Sequence, residues 1–232
     1  MEAYAAQVDM MDQGIGRIVE KLRQVGVERN TLVMFLSDNG ACAEEVASSW
    51  KGLHIPKTTR RGRSVEVGNN PSVMPAGEDT YQSYGLAWAN ASNTPFRLYK
   101  HRVHEGGIAT PMIVRWPKVI TKGGSLTHQV GHVIDIMPTC LQAAKLVYPR
   151  IHQGLTLLPS EGNSLIPIFR GQPRPQAVYY WEHEGNRAVR DGKWKLVSRH
   201  PGKWELYDLQ ADRTELKDLS GKFPVIVQDL AS

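Results

Sequence analysis

Asn30-Thr-Leu-Val-Met-Phe-Leu-Ser-Asp-Asn-Gly40 decides the fold. Leu32 to Leu36 is apolar without alternation, the pattern of a strand buried on both faces, and Ser37 to Gly40 ends it in polar groups and a turn residue. Upstream, Tyr4, Val8, Met11, Ile15, Ile18 and Leu22 follow a spacing of four and three. That places one apolar stripe on a helix, and Gly26 suits its C-terminal stop. Helix, short loop and buried strand make half of an α/β repeat. Ligands of open α/β sheets sit beyond the carboxyl ends of strands, so Asp38 and Asn39 are the first candidates for function.

Further along, Pro111 to Trp116 reads as a second buried strand closed by Pro117, and Gln129 to Ile134 as a third. A helix near Asp135 to Lys145 follows, with Pro138 in its first turn, where proline is tolerated. Residues 41–95 read as a long ordered excursion with a basic cluster at Lys57, Arg60, Arg61 and Arg63. After about residue 148 the composition changes. A linker over 149–176 leads to short strands at Ala177–Trp181, Asn186–Arg190, Trp194–Ser198 and Trp204–Leu206. Glu184-Gly185, Asp191-Gly192 and Pro201-Gly202 are the turns between them. The amphipathic tail from Thr214, interrupted at Lys222-Phe-Pro224, reads as a helix packed on this small antiparallel sheet. The domain reading is therefore 1–148, a linker over 149–176, and a small subdomain over 177–232.

Hydrophobic residues make up 41% and charged residues 22% of the 232, which excludes global disorder. A formal net charge of +5 is compatible with an anionic partner and equally with a basic solvated surface. Cys42 and Cys140 lack Cys-x-x-Cys spacing, so neither a disulfide scaffold nor a cysteine zinc site is expected. No apolar run is long enough for a bilayer. The first residues have no signal-peptide character. A well-formed helix with no leader before it suggests the rear part of a larger protein.

Several polar groups could carry chemistry. Asp38 and Asn39 offer hard oxygen donors suited to Ca²⁺ or Mg²⁺, but two ligands are few, and Asp-Asn-Gly is also an ordinary turn. Lys100-His-Arg-Val-His-Glu105 precedes Gly106-Gly107 and could clamp sulfate or phosphate. A solvated basic loop explains the same residues, and Glu105 could serve structure by accepting from backbone amides at the Gly-Gly turn. His183, Glu184, Asn186 and Arg187 form a polar knot, read either as a substrate-selecting loop or as a plain hairpin. His128 and His132 are a poor metal pair. Asn90-Ala-Ser92 matches the glycosylation sequon.

Taken in order, these segments resemble the rear half of the type I, formylglycine-dependent sulfatases of arylsulfatase type. The resemblance runs through Asn30–Gly40, Asn93-Thr-Pro-Phe-Arg-Leu-Tyr-Lys100, Glu105-Gly-Gly-Ile-Ala-Thr-Pro-Met-Ile-Val-Arg-Trp-Pro117 and His132-Val-Ile-Asp-Ile-Met-Pro-Thr139. Arg187-Ala-Val-Arg-Asp-Gly-Lys-Trp-Lys-Leu-Val197 and Trp204-Glu-Leu-Tyr-Asp-Leu209 resemble the family's small C-terminal subdomain. The resemblance implies an α/β, alkaline-phosphatase-like mixed sheet with flanking helices, plus a small antiparallel sheet with a helix. It implies a Ca²⁺ site at Asp38 and Asn39, and Lys100 as the catalytic group that binds sulfate and stabilises the leaving oxygen. His104, His183 and Arg187 are carried as groups lining the substrate pocket. The family's nucleophile is formylglycine, made in a Cys/Ser-x-Pro/Ala-x-Arg motif. Neither cysteine here sits in one, so the chain alone is expected to be nearly inactive. The implied substrate is a sulfate ester, including sulfated carbohydrate, with neither nucleic acid nor membrane as partner. A phosphatase or phosphonate hydrolase of the same superfamily and a non-catalytic glycan binder remain as other readings. Intact relatives are exported, which implies a periplasmic or extracellular parent.

Overall fold

The computed structural model describes residues 1–50, 54–75 and 77–232. In chain order the elements are α1 (Glu2–Gln24), β1 (Val33–Leu36), β2 (Glu66–Val67), β3 (Thr80–Tyr81), α2 (Gly85–Ser92), α3 (Glu105–Ile108), β4 (Met112–Arg115), α4 (Ile136–Ala144), β5 (Ile151–His152), β6 (Leu155–Thr156), α5 (Ile166–Phe169), β7 (Val178–His183), β8 (Asn186–Asp191), β9 (Trp194–Ser198), β10 (Trp204–Asp208) and α6 (Pro224–Ala231). They group into two compact units. The first comprises Met1–Gly16, Asn39–Thr110 and Tyr180–Ser232, and the second Arg17–Asp38 and Pro111–Tyr179.

In the first unit the organising element is a four-stranded antiparallel sheet in the order β10-β9-β8-β7. Its register sorts side chains onto two faces. Val189, Leu196 and Leu206 lie opposite one another and pack with Trp194, Trp204, Phe223, Ile226 and Leu230, so α6 covers that face. Ala188 and Val197, with Tyr207 on β10, point the other way and pack with Val103, Leu209 and the half-buried Ile108. With both faces covered, β9 is buried from Lys195 to Ser198. Leu196 and Leu206 are fully buried, each such burial being worth about 1.5–3 kcal/mol. Asp191-Gly192 makes the β8–β9 turn, with Gly192 at φ +55°.

The second unit holds β1 and β4, paired antiparallel from Val33↔Arg115 to Leu36↔Met112. β1 is only partly the doubly buried strand its sequence suggests. Phe35 is 37% exposed, because among the described residues this sheet has two strands. Gly26, at φ +75°, ends α1 as expected, and the Val27 amide donates to the Leu22 carbonyl in the way of a Schellman stop. The apolar stripe of α1 is present, but none of its residues is buried, and Ile18 is 61% exposed.

Two elements differ from the sequence expectation. Residues 129–134 do not form a third strand. His132 instead caps a 3₁₀ turn over Val133–Asp135, its ring accepting from the Ile134 amide while Asp135 accepts from the His132 amide. That reciprocal capping outweighs the apolar alternation of the segment. The tail helix begins only at Pro224, a proline suited to a first turn, while residues 209–223 are turns tied down by Asp212 and Asp218. The 41–95 excursion is ordered where described: β2 and β3 pair in parallel, and Arg63 bonds Asp79 at 2.8 Å. Residues 51–53 and 76 of that excursion lie outside the described residues.

Candidate active site

The loop after β1 is held by backbone contacts that only glycine permits. The Gly40 amide donates to the Gly107 carbonyl at 2.9 Å. A Cβ on Gly40 would lie 1.8 Å from the Gly106 carbonyl oxygen, and one on Gly107 would lie 1.8 Å from that of Arg102. The Glu105-Gly-Gly sequence is therefore a packing requirement for three backbone strands in contact. Ala41 adds two ties. Its amide donates to the Asn93 side chain at 2.9 Å, and its carbonyl accepts from the Lys100 amide at 3.0 Å. The Asn93 side-chain amide donates in turn to the Leu98 carbonyl at 2.8 Å. The segment that starts at Asn39 is thereby bonded to the segment that carries Lys100. Asp38 is the residue before Asn39.

Leu98 and His101, on either side of Lys100, have φ of +65° and +74°. Non-glycine residues are seldom held in the left-handed region, and such strain clusters at working sites. The Lys100 ammonium lies 3.3 Å from Glu44, which also takes His101 Nε2 at 3.3 Å and the Cys42 thiol at 3.1 Å. The Cys42 thiol and then Lys100 hold the Glu44 carboxyl down to about 2. Burial and the same carboxylate push the Cys42 thiol up. His101 Nδ1 meets His183 Nε2 at 2.9 Å, the rings stacked with centroids 5.1 Å apart. Glu184 Oε2 is 3.4 Å from the same His101 nitrogen. Lys100, His101 and His183 therefore form one polar cluster in the first unit, joined by Glu44 and Glu184. Glu44 had no signal in the sequence, since nothing local marks an acid whose cationic partner Lys100 lies 56 residues away.

Two of the remaining sequence candidates sit elsewhere. His104 does not line a pocket. It is 1% exposed, and its Nε2 lies 3.3 Å from Glu205 of β10, because the Val103–Ile108 segment is the cover of one sheet face. Burial lowers its imidazole to about 4. Arg187 lies with its guanidinium over the Trp204 ring, 5.0 Å from the centroid, a cation–π contact on the small sheet.

Glu105 also has a different role from the one its neighbours suggest. Its carboxylate takes Lys195 Nζ at 2.9 Å and Arg213 at 3.2 Å, while its amide donates to Glu215 Oε2 at 2.8 Å. Lys195 is fully buried and also reaches Glu215 at 2.8 Å. Burial works against both acids. Lys195 and Arg213 outweigh it for Glu105, which falls below the carboxylate range, whereas burial prevails for Glu215, which rises. The lysine of β9 thus anchors the Gly-Gly turn from below.

The family follows from comparison with known proteins. The model described as Sulfatase matches residues 1–146, and the one described as N-sulphoglucosamine sulphohydrolase, C-terminal, matches residues 95–229. This chain belongs to the sulfatase family. It is 34% identical over 201 residues to an uncharacterized sulfatase of Schizosaccharomyces pombe, covering 85% of this chain and 35% of that protein. It is 32% identical over 169 residues to an arylsulfatase of Klebsiella aerogenes, covering 72% and 34%. The chain thus spans about a third of the length of these sulfatases. Among solved structures, Ps i-CgsB aligns with a TM-score of 0.67 at 23% identity, over 98% of this chain and 40% of that one. A protein solved with its substrate D-glucosamine-2-N,6-O-disulfate aligns with a TM-score of 0.61 at 20% identity, over 98% and 38%. The fold is accordingly the α/β, alkaline-phosphatase-like fold of the sulfatases.

Proposed function

We propose that this sulfatase-family chain contributes the cation-binding strand end and the cationic leaving-group residue of a site that hydrolyses sulfate esters. What supports the reading is the bond from the Lys100 amide to the Ala41 carbonyl, which ties the lysine to the segment beginning at Asn39. Asp38 and Asn39 offer a carboxylate and an amide oxygen, a donor set that fits a hard divalent ion such as Ca²⁺ and supplies part of its shell. When bound, that ion would offset the charge of the sulfate oxygens. The Lys100 ammonium has three donors, so it can hold Glu44 and a sulfate ester oxygen together. It would stabilise negative charge as the ester bond breaks. The formylglycine expected from the resemblance does not fit this chain, since neither Cys42 nor Cys140 lies in the required motif. The attacking group is therefore assigned to a longer protein that contains this chain.

The substrate class we propose is sulfated carbohydrate. N-acetylgalactosamine-6-sulfatases are among the relatives, and one aligned structure holds a glucosamine disulfate. The basic residues Lys57, Arg60 and Arg61 suit a polyanionic glycan. An exported parent accords with such a substrate. No helix among the described residues is long and apolar enough to cross a membrane. The test is hydrolysis by the longer gene product of 4-nitrophenyl sulfate against 4-nitrophenyl phosphate, with and without a Ca²⁺ chelator. Sulfate release that the chelator abolishes is the expected result. A preference for phosphate would assign the site to phosphoryl transfer.

A further inference from the structure

Beside Lys100, three side chains converge on one another. His101 Nδ1, His183 Nε2 and Glu184 Oε2 are separated by 2.9, 3.4 and 4.0 Å. A tetrahedral ion with bonds of roughly 2.0–2.1 Å sets its donors about 3.3–3.4 Å apart, so the three atoms come near one face of such a tetrahedron, with the His101–His183 edge shorter and the His183–Glu184 edge longer than that spacing. All three residues belong to the first unit. From this geometry we propose that His101, His183 and Glu184 bind a zinc-type divalent transition-metal ion.

Two further observations point the same way. His101 turns its other nitrogen, Nε2, to the Glu44 carboxylate at 3.3 Å. A carboxylate on the far nitrogen of a ligating histidine fixes the tautomer and raises the basicity of the ligating nitrogen. His101 also has φ of +74°, so one of the three donors is presented from strained backbone, whereas the +52° of Glu184 is the ordinary conformation of the two-residue β7–β8 turn. The donors are imidazole, imidazole and carboxylate, which favour zinc, nickel or ferrous ions over Ca²⁺. His183 and Glu184 are 51% and 65% exposed, so an ion can enter from solvent and keep a position open to water. Once bound it would join the loop carrying Lys100 to the β7–β8 turn. This site shares no residue with Asp38 and Asn39, so its failure would leave the sulfatase reading standing.

The experiment is Co²⁺ and Zn²⁺ titration of the 232-residue chain, by visible absorption for Co²⁺ and calorimetry for Zn²⁺. The expected result is one site, a four-coordinate Co²⁺ spectrum, and displacement of Co²⁺ by Zn²⁺. His183→Ala and Glu184→Gln change exposed side chains, and each should remove the spectrum while far-UV dichroism is unchanged. Glu44→Gln should weaken Zn²⁺ binding about tenfold or more. His128→Ala should bind as the parent does. The proposal is overturned if no ion binds at micromolar concentration, which would leave the pair as an imidazole–imidazole hydrogen bond. It is equally overturned if the spectrum survives in either His183→Ala or Glu184→Gln.

Discussion

His104 shows most clearly how one side chain's surroundings set its behaviour. Burial holds its imidazole at about 4, against an unfolded value of 6.5. A lowered value means the unfolded chain binds the extra proton first. The stability this group contributes is therefore full above pH 6.5 and is lost as pH falls towards 4. Urea midpoints of the parent and of His104→Gln should diverge between pH 6.5 and 4, the variant falling less. Parallel profiles would show that the histidine does not titrate as described. Lys195 makes the converse point. Its ammonium is the shared partner of two buried carboxylates, and Lys195→Met would leave both without it. A loss of about 3–5 kcal/mol in denaturant unfolding is expected. A loss below about 1 kcal/mol would be the size of a surface pair and would contradict the burial. Neither role was legible in the sequence. Lys195 alternates with apolar neighbours like any solvent-facing strand lysine, and only a second layer over the sheet turns its face inward.

Among the elements, strands β7 to β10 were readable because each is short and set off by turn residues such as Glu184-Gly185, Asp191-Gly192 and Pro201-Gly202, and because β7, β9 and β10 carry aromatic residues. The strand expected at residues 129–134 failed because His132 and Asp135 supply side-chain partners to the backbone, a local competition that hydrophobic pattern does not register. Asp135 then organises the elements that follow. It is fully buried and accepts from the His132 amide, the Asn163 amide at 2.7 Å and Arg174 at 2.9 Å. Thr139, one turn on, donates to the Asp135 carbonyl and accepts from the Leu165 amide. Asp135→Ala removes three acceptor contacts and leaves Arg174 buried without its carboxylate. We expect it to cost about 3–5 kcal/mol, with loss of hydrogen-exchange protection at Asn163. Intact protection there would mean that another acceptor holds the segment.

For the molecule as a whole, the family was legible because its segments keep their order over most of the chain. The proposed site was legible only in part. Lys100 and the Asp38-Asn39 strand end, the residues proposed for it, stand out by their place before Gly-Gly and after an apolar run. Glu44 and the His101–His183 contact depend on loops returning across long separations, which sequence spacing does not encode. The apolar side chains left exposed on α1 and at Ile113 are consistent with a chain that spans about a third of its relatives.

The central claim is that Lys100 acts on the sulfate ester. It is tested most directly by the rate of 4-nitrophenyl sulfate hydrolysis by the longer gene product carrying Lys100→Ala. A fall in kcat of about 10²–10³-fold, with smaller change in KM, is predicted from loss of one charge-stabilising donor. An unchanged kcat in a folded variant would contradict it.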